Sequence, residues 1–209
     1  MKKILLSGLS MIMLLVALQT PQSVQAQAVE EGDIIVEGFY GWPNFATFLL
    51  RAAYGFSAND EQVNISSAGP LGGRVEYMID DNISLGLEGY YGASGLEWEG
   101  MSLTDQGNDT TYMYDVSYNR VTANLRAAYH FDLGDNFDAY VAGGVGYRYT
   151  RSRFDTDDPF FEEASVGSFL PFSIRGAVGG RYFIANTIGL GLEFALGGPL
   201  VSGGVSIKL

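Results

Sequence analysis

RVEYMIDDNISLGLEGYY, residues 74–91, is two alternating runs joined by Asp80-Asp81-Asn82. One face carries Val75, Tyr77, Ile79, Ile83, Leu85, Leu87 and Tyr91. The other carries Arg74, Glu76, Ser84, Glu88 and Tyr90. Period-two alternation about a short polar turn predicts a β-hairpin. If the apolar face is turned inward, this is an ordinary soluble sheet. If the charged face is turned inward, the medium outside must be lipid.

The same alternation marks eight strands, at 33–41, 72–79, 83–92, 120–132, 137–150, 171–184, 188–197 and 200–209. Three connections are tight and rich in Asn and Asp: Asp80-Asp81-Asn82, Gly134-Asp135-Asn136 and Ala185-Asn186-Thr187. Three are long, at 43–71, 93–119 and 151–170, and a brief Gly198-Pro199 joins the last two strands. Turns therefore gather at one end and loops at the other, the plan of a membrane barrel with periplasmic turns and extracellular loops.

Along every run the apolar set holds no charge, amide or aliphatic hydroxyl. The second face holds Gly86, Ala128, Ala142, Gly144, Gly146, Ala177, Gly179, Gly191 and Ala195, and among them Glu37, Arg74, Glu76, Glu88, Arg126, Arg175, Arg181 and Glu193. Solvent-facing sheet surfaces are filled with larger polar residues, whereas a narrow barrel interior needs small residues beside a few large polar ones. Four acids against four bases allow every interior charge a partner, as burial demands. Aromatic residues of the apolar set fall in two groups. Tyr77, Tyr129, Phe131 and Tyr182 lie near the turns, and Tyr40, Tyr91, Tyr147, Tyr149 and Phe172 lie near the loops, as interfacial girdles would. The charged face is the expected interior.

Residues 1–26 read as a secretory signal peptide. Lys2 and Lys3 precede an apolar Ile4–Leu18 core, and Val24-Gln25-Ala26 or Ala26-Gln27-Ala28 supplies a small-x-small cleavage site. Its apolar run is short for a retained membrane anchor. Residues 27–209 then form one domain. The formal charge of −12 becomes about −14 without the two lysines, which excludes nucleic acid as a natural partner. No cysteine is present, so disulfides, cysteine catalysis and a lipid-bearing cysteine are excluded.

Gly41-Trp42-Pro43-Asn44, Gly69-Pro70-Leu71-Gly72 leading into Arg74-Val75-Glu76-Tyr77, and Gly189-Leu190-Gly191-Leu192-Glu193 carry a resemblance to a known family. The chain resembles small outer-membrane β-barrels of OmpA/OmpX type, in particular the "outer membrane protein beta-barrel domain" proteins common in Bacteroidetes. The resemblance implies an eight-stranded antiparallel transmembrane β-barrel in the cell outer membrane of a Gram-negative bacterium. It implies contact with membrane lipid and lipopolysaccharide, and delivery by periplasmic chaperones and the barrel-assembly machinery. Two departures are visible. Ile207-Lys208-Leu209 ends on Leu where such barrels usually end on an aromatic residue, and no peptidoglycan-binding domain follows strand eight, so wall anchoring is not expected.

Some barrels of this size modify lipid A, which takes a His with a hydroxyl and a carboxylate. The one histidine, His130, faces inward at the turn end beside Asp138 or Lys208, away from the outer leaflet, and no serine has a recognisable nucleophile setting. Glu76 and Glu88 could suggest a glycosidase pair, but the neighbouring arginines would keep both ionised. No catalytic residue, metal ligand or cofactor is therefore expected. Acidic loop residues Glu97, Glu99, Asp105, Asp109, Asp115, Asp155, Asp157, Asp158, Glu162 and Glu163 form a solvated rim, with divalent-cation binding the sharper alternative. Phe45–Tyr54 is apolar for a loop and suits a strand extension, an amphipathic surface segment or a partner-binding loop. The expected role is structural or surface interaction. The alternatives are a narrow channel or small hydrophobic-ligand transporter of the OmpW kind, a lipid-A-modifying enzyme, and a soluble lipocalin-like barrel.

Overall fold

The computed structural model describes residues 28–44, 47, 63–101, 111–162, 164–167 and 171–209. The expected signal peptide lies outside these residues, as does the Phe45–Tyr54 run apart from Thr47. Nine strands follow in chain order: β1 Ile34–Trp42, β2 Val63–Asp80, β3 Ile83–Met101, β4 Thr111–Asp132, β5 Phe137–Thr156, β6 Ala164–Gly167, β7 Phe172–Ala185, β8 Ile188–Leu196 and β9 Val201–Lys208. All neighbours are antiparallel, in the order β1-β2-β3-β4-β5-β7-β8-β9, and β9 pairs back onto β1. Eight strands close a barrel; β6 pairs with β5 beyond the point where β7 stops.

The pairing register fixes its size. From Phe131 the partners run to Ala139, Gly180, Leu192, Gly203, Tyr40, Leu71 and Tyr91, and return to β4 at Val121, ten residues from the start. Because that shift is even, outward residues meet outward residues and the sheet closes without exchanging its faces. Eight strands with this stagger tilt by roughly 40° and give a backbone radius of about 8 Å. A radius of about 8 Å is little more than the length of an extended arginine, so side chains from opposite walls can meet.

Asn and Asp fasten the tight turns. Asn82 Nδ2 donates to the His130 carbonyl at 3.0 Å, and Asn136 Nδ2 to the Phe183 carbonyl at 3.2 Å, each tying a turn to the next strand. Gly134 takes a φ of +103°, a region that side-chain-bearing residues rarely adopt.

Through the barrel wall the apolar face is outside. Leu87, Leu125 and Val145 are 61, 65 and 59% exposed, while Arg74, Glu76 and Glu88 are buried. The opening hairpin thus has its charges in the interior. Hydrophobic burial cannot hold such a wall together in water, since its large apolar side chains point outward; lipid must cover them.

Strands β2 to β5 run well past the lengths that the alternation marks, so parts of the three expected loops are strand. The reason is a change of phase. Beyond the outward row Tyr40–Leu71–Tyr91–Val121–Tyr149 the polarity of the faces inverts. Ile65, Leu96, Val116 and Phe154 pair across β2, β3, β4 and β5 on the inward face, and Asn64, Glu97, Asp115 and Asp155 do so on the outward face. Leu96 is fully buried. Trp98 stacks on Tyr114 at 5.3 Å, and Phe154 and Phe161 each lie 6.3 Å from Tyr114. An inward apolar face and an outward polar one is the pattern of a sheet in water, so this five-strand extension, β6 included, stands clear of the bilayer.

Candidate functional site

The eight interior charges expected from sequence converge at mid-barrel. Glu193 Oε2 accepts from Arg74 Nη1, from Arg126 Nη2 at 2.7 Å and from the Tyr140 hydroxyl at 3.1 Å, while Oε1 accepts from Arg175 Nη2 at 2.7 Å. Arg181, with no exposed surface, donates Nε to Glu37 at 2.8 Å, Nη2 to Glu76 at 2.5 Å and Nη1 to Asp138 at 3.1 Å. Arg126 adds Nε to Glu76 at 2.5 Å, Arg74 lies 3.0 Å from Glu37, and Arg175 Nε lies 3.1 Å from Glu88. Ser206 Oγ donates to Glu37 at 2.9 Å, so all eight barrel strands contribute a side chain. Sharing each of the four glutamates among two or three guanidinium groups compensates the desolvation that a single buried pair would not recover.

Two further residues join the eight: Asp138, expected only as a neighbour of His130, and Tyr140, which the sequence did not single out. Asp138 is a fifth interior acid, and Tyr140 is an aromatic platform with the Arg181 and Arg126 guanidinium carbons 4.6 and 5.3 Å from its ring centre. Asp138 continues the even-numbered inward series of β5, so its face was legible. Tyr140 looks like another girdle tyrosine until the phase of β5 is counted. Small residues make the room: a Cβ on Gly179 would sit 2.6 Å from the Tyr140 ring, and one on Gly198 would sit 1.9 Å from Arg175 Nη1.

Below the network, His130 joins Asp138 and not Lys208. Its Nδ1 faces Asp138 Oδ1 at 2.7 Å, and Nε2 faces Ser84 Oγ at 2.9 Å. Hydroxyl, imidazole and carboxylate stand in the order of an activated nucleophile. Ser84, His130 and Asp138 are each at most 1% exposed, and the second Asp138 oxygen is held by Arg181. Ile35, Met78 and Phe183, with Ala28 and Val29, form an apolar floor at the turn end. The chain of hydrogen bonds is complete, and all three of its side chains are buried.

The aromatic residues fall in two outward bands. Tyr77, Tyr129, Phe131 and Tyr182 lie toward the turns, with Tyr129 and Phe131 edge-to-face at 5.2 Å. Tyr40, Tyr91, Tyr147, Tyr149 and Phe172 lie toward the loops. Above the wall, Glu97, Asp115 and Asp155 are direct cross-strand partners. Loss of hydration and these two neighbours raise the Asp115 carboxyl above its ordinary value. Loss of hydration and a 2.8 Å hydrogen bond to Asp158 push the Tyr114 phenol up to about 12. Among the described residues no group of three or more His, Asp or Glu side chains is placed to hold a metal ion. Asp105, Asp109 and Glu163 lie outside them.

A closed eight-stranded barrel with an apolar exterior and a charged interior defines an integral outer-membrane protein. The chain matches the family described as "Outer membrane protein beta-barrel domain" over residues 12–198, and it belongs to that family. Among solved structures it is similar to the N-terminal β-barrel domain of Pseudomonas aeruginosa OprF, at 16% identity over 87% of this chain and 100% of that one, with a TM-score of 0.45. It is also similar to Yersinia pestis Ail in complex with the heparin analogue sucrose octasulfate, at 12% identity over 86 and 99% of the two chains, TM-score 0.44. Pseudomonas aeruginosa OprG follows at 16% identity over 90 and 99%, TM-score 0.43. A search of curated proteins finds no match.

Proposed function

We propose that this protein is a non-enzymatic, non-conducting outer-membrane barrel, exported with a cleaved signal peptide, that holds a five-strand sheet above the membrane for surface interaction. The observation that carries the reading is the interior network. Four arginines and five acids from opposite walls meet across a space about 8 Å in radius, in which a charge without a partner would be costly. In this role the network is a structural plug, with the outward aromatic bands as girdles at the two interfaces. Lipid and lipopolysaccharide surround the wall, and chaperones and the assembly machinery handle the chain before insertion.

The extension supports a surface role because it is the part of the barrel that water and other molecules reach. Its outward face carries Glu97, Asp115 and Asp155 in register, so it favours basic partners and repels lipopolysaccharide phosphates. The hydroxyl–imidazole–carboxylate chain serves here as a structural link between Arg181 and β3, since catalysis would require breaching the apolar floor. Planar-bilayer recording of the refolded protein tests the proposal. No steady current is expected at any potential that the bilayer survives, and stable open steps would instead establish a channel.

A further inference from the structure

Two bonds satisfy the export signal's small-x-small rule, the one after Ala26 and the one after Ala28. We infer that the mature chain begins at Gln27, because the folded barrel uses the Ala28 carbonyl and buries Val29. The inference rests on the proposed export.

Residues 28–33 are seated in the turn end of the barrel and fastened along their length. Gly32 N donates to the Met78 carbonyl at 2.9 Å, Glu31 N to Asp81 Oδ1 at 3.1 Å and Glu30 N to Asp33 Oδ2 at 2.9 Å. Ala28 and Val29 are 3 and 2% exposed and complete the floor with Ile35, Met78 and Phe183. Lys208 Nζ, 5.5 Å from the centre of the Phe183 ring and 3.7 Å from Asp33, donates to the Ala28 carbonyl at 2.9 Å.

Hydrolysis after Ala28 would send that carbonyl away with the leaving peptide and turn the Val29 amide into an ammonium. Lys208 would lose its acceptor. The new cation would lie within about 5 Å of Nζ, since the N and O of one peptide group are about 2.3 Å apart. It would also be buried among apolar side chains, where an ionised amine is disfavoured. Hydrolysis after Ala26 keeps the Ala28 carbonyl and the neutral Val29 amide, and moves the new terminus two residues back along the chain.

Two measurements decide it. The full precursor is expressed, and the N-terminal peptide of the outer-membrane protein is sequenced by mass spectrometry. A start at Gln27 is expected; a start at Val29 overturns the inference, and a retained Met1 overturns the export reading on which it rests. Chains beginning at Gln27, at Val29 and at N-acetylated Val29 are then refolded in detergent and melted. The Val29 chain should melt several degrees below the Gln27 chain, and acetylation, which restores a carbonyl and removes the charge, should recover most of the difference. Equal melting of the Gln27 and Val29 chains, or a Val29 deficit that acetylation leaves untouched, would contradict the proposed cause.

Discussion

Arg181 shows how far single residues govern this protein. It has no exposed surface and answers three carboxylates at once, those of Glu37, Glu76 and Asp138. Arg181→Met would keep the volume and leave three acids short of a partner. Urea unfolding in lipid vesicles should show a loss of about 3–5 kcal/mol, the range for breaking a buried pair from one side. Adding Glu76→Gln to that variant should recover part of the loss, because the cost lies in uncompensated charge. Tyr140 marks where residue-level reading ran out. Alternation puts it on the inward face, but tyrosines in such a chain are expected at the girdles, and only the structure sets its ring against two guanidinium groups. Asp138 was one of two neighbours expected for His130, but the continuation of that contact to Ser84 was likewise hidden. The three residues come from β3, β4 and β5, and sequence spacing says nothing about hydrogen-bond distance across strands.

At the scale of the element, the wall of each strand was legible, and the upper ends of β2 to β5 were not. Alternation over 83–92 or 120–132 is unbroken, and the tight turns carry residues that bond their own backbone or the next strand. Past Gly92 the apolar phase moves from odd to even positions, to Leu96 and Trp98 on β3 and to Tyr114 and Val116 on β4. A search for one continuous phase sees this as the strand ending. The solvent changes there from lipid to water, and the same strand must reverse its pattern to stay satisfied. The outward carboxylate row Glu97–Asp115–Asp155 has a consequence for stability. Since folding raises the Asp115 pKa, its contribution is present below the ordinary value of 3.8 and is lost as pH rises through the higher folded value. Asp115→Asn should therefore raise the melting midpoint of the extension at pH 7 and leave it unchanged near pH 3. Trp98 fluorescence, read in a Trp42→Phe background, follows that transition.

For the molecule as a whole, fold and membrane follow from which way one face points. At mid-barrel nine interior charges fill so narrow a space, and the apolar side chains of the wall at that level point out, toward hydrocarbon. Closure itself needs the even, ten-residue stagger, a property of all eight pairings together that no single stretch of sequence displays. The absence of native cysteine allows single labelled sites to be read without background. Spin labels at Leu87, Leu125 and Val141, and at Ser117 and Asn119 on the same outward face above the Tyr91–Val121–Tyr149 row, report contact with oxygen from lipid or with a nickel chelate from water. The account predicts high oxygen and negligible nickel contact at the first three sites in lipid vesicles, and strong nickel contact at Ser117 and Asn119. Nickel contact at Leu125 and Val141, or shielding of both from oxygen and nickel alike, would contradict it.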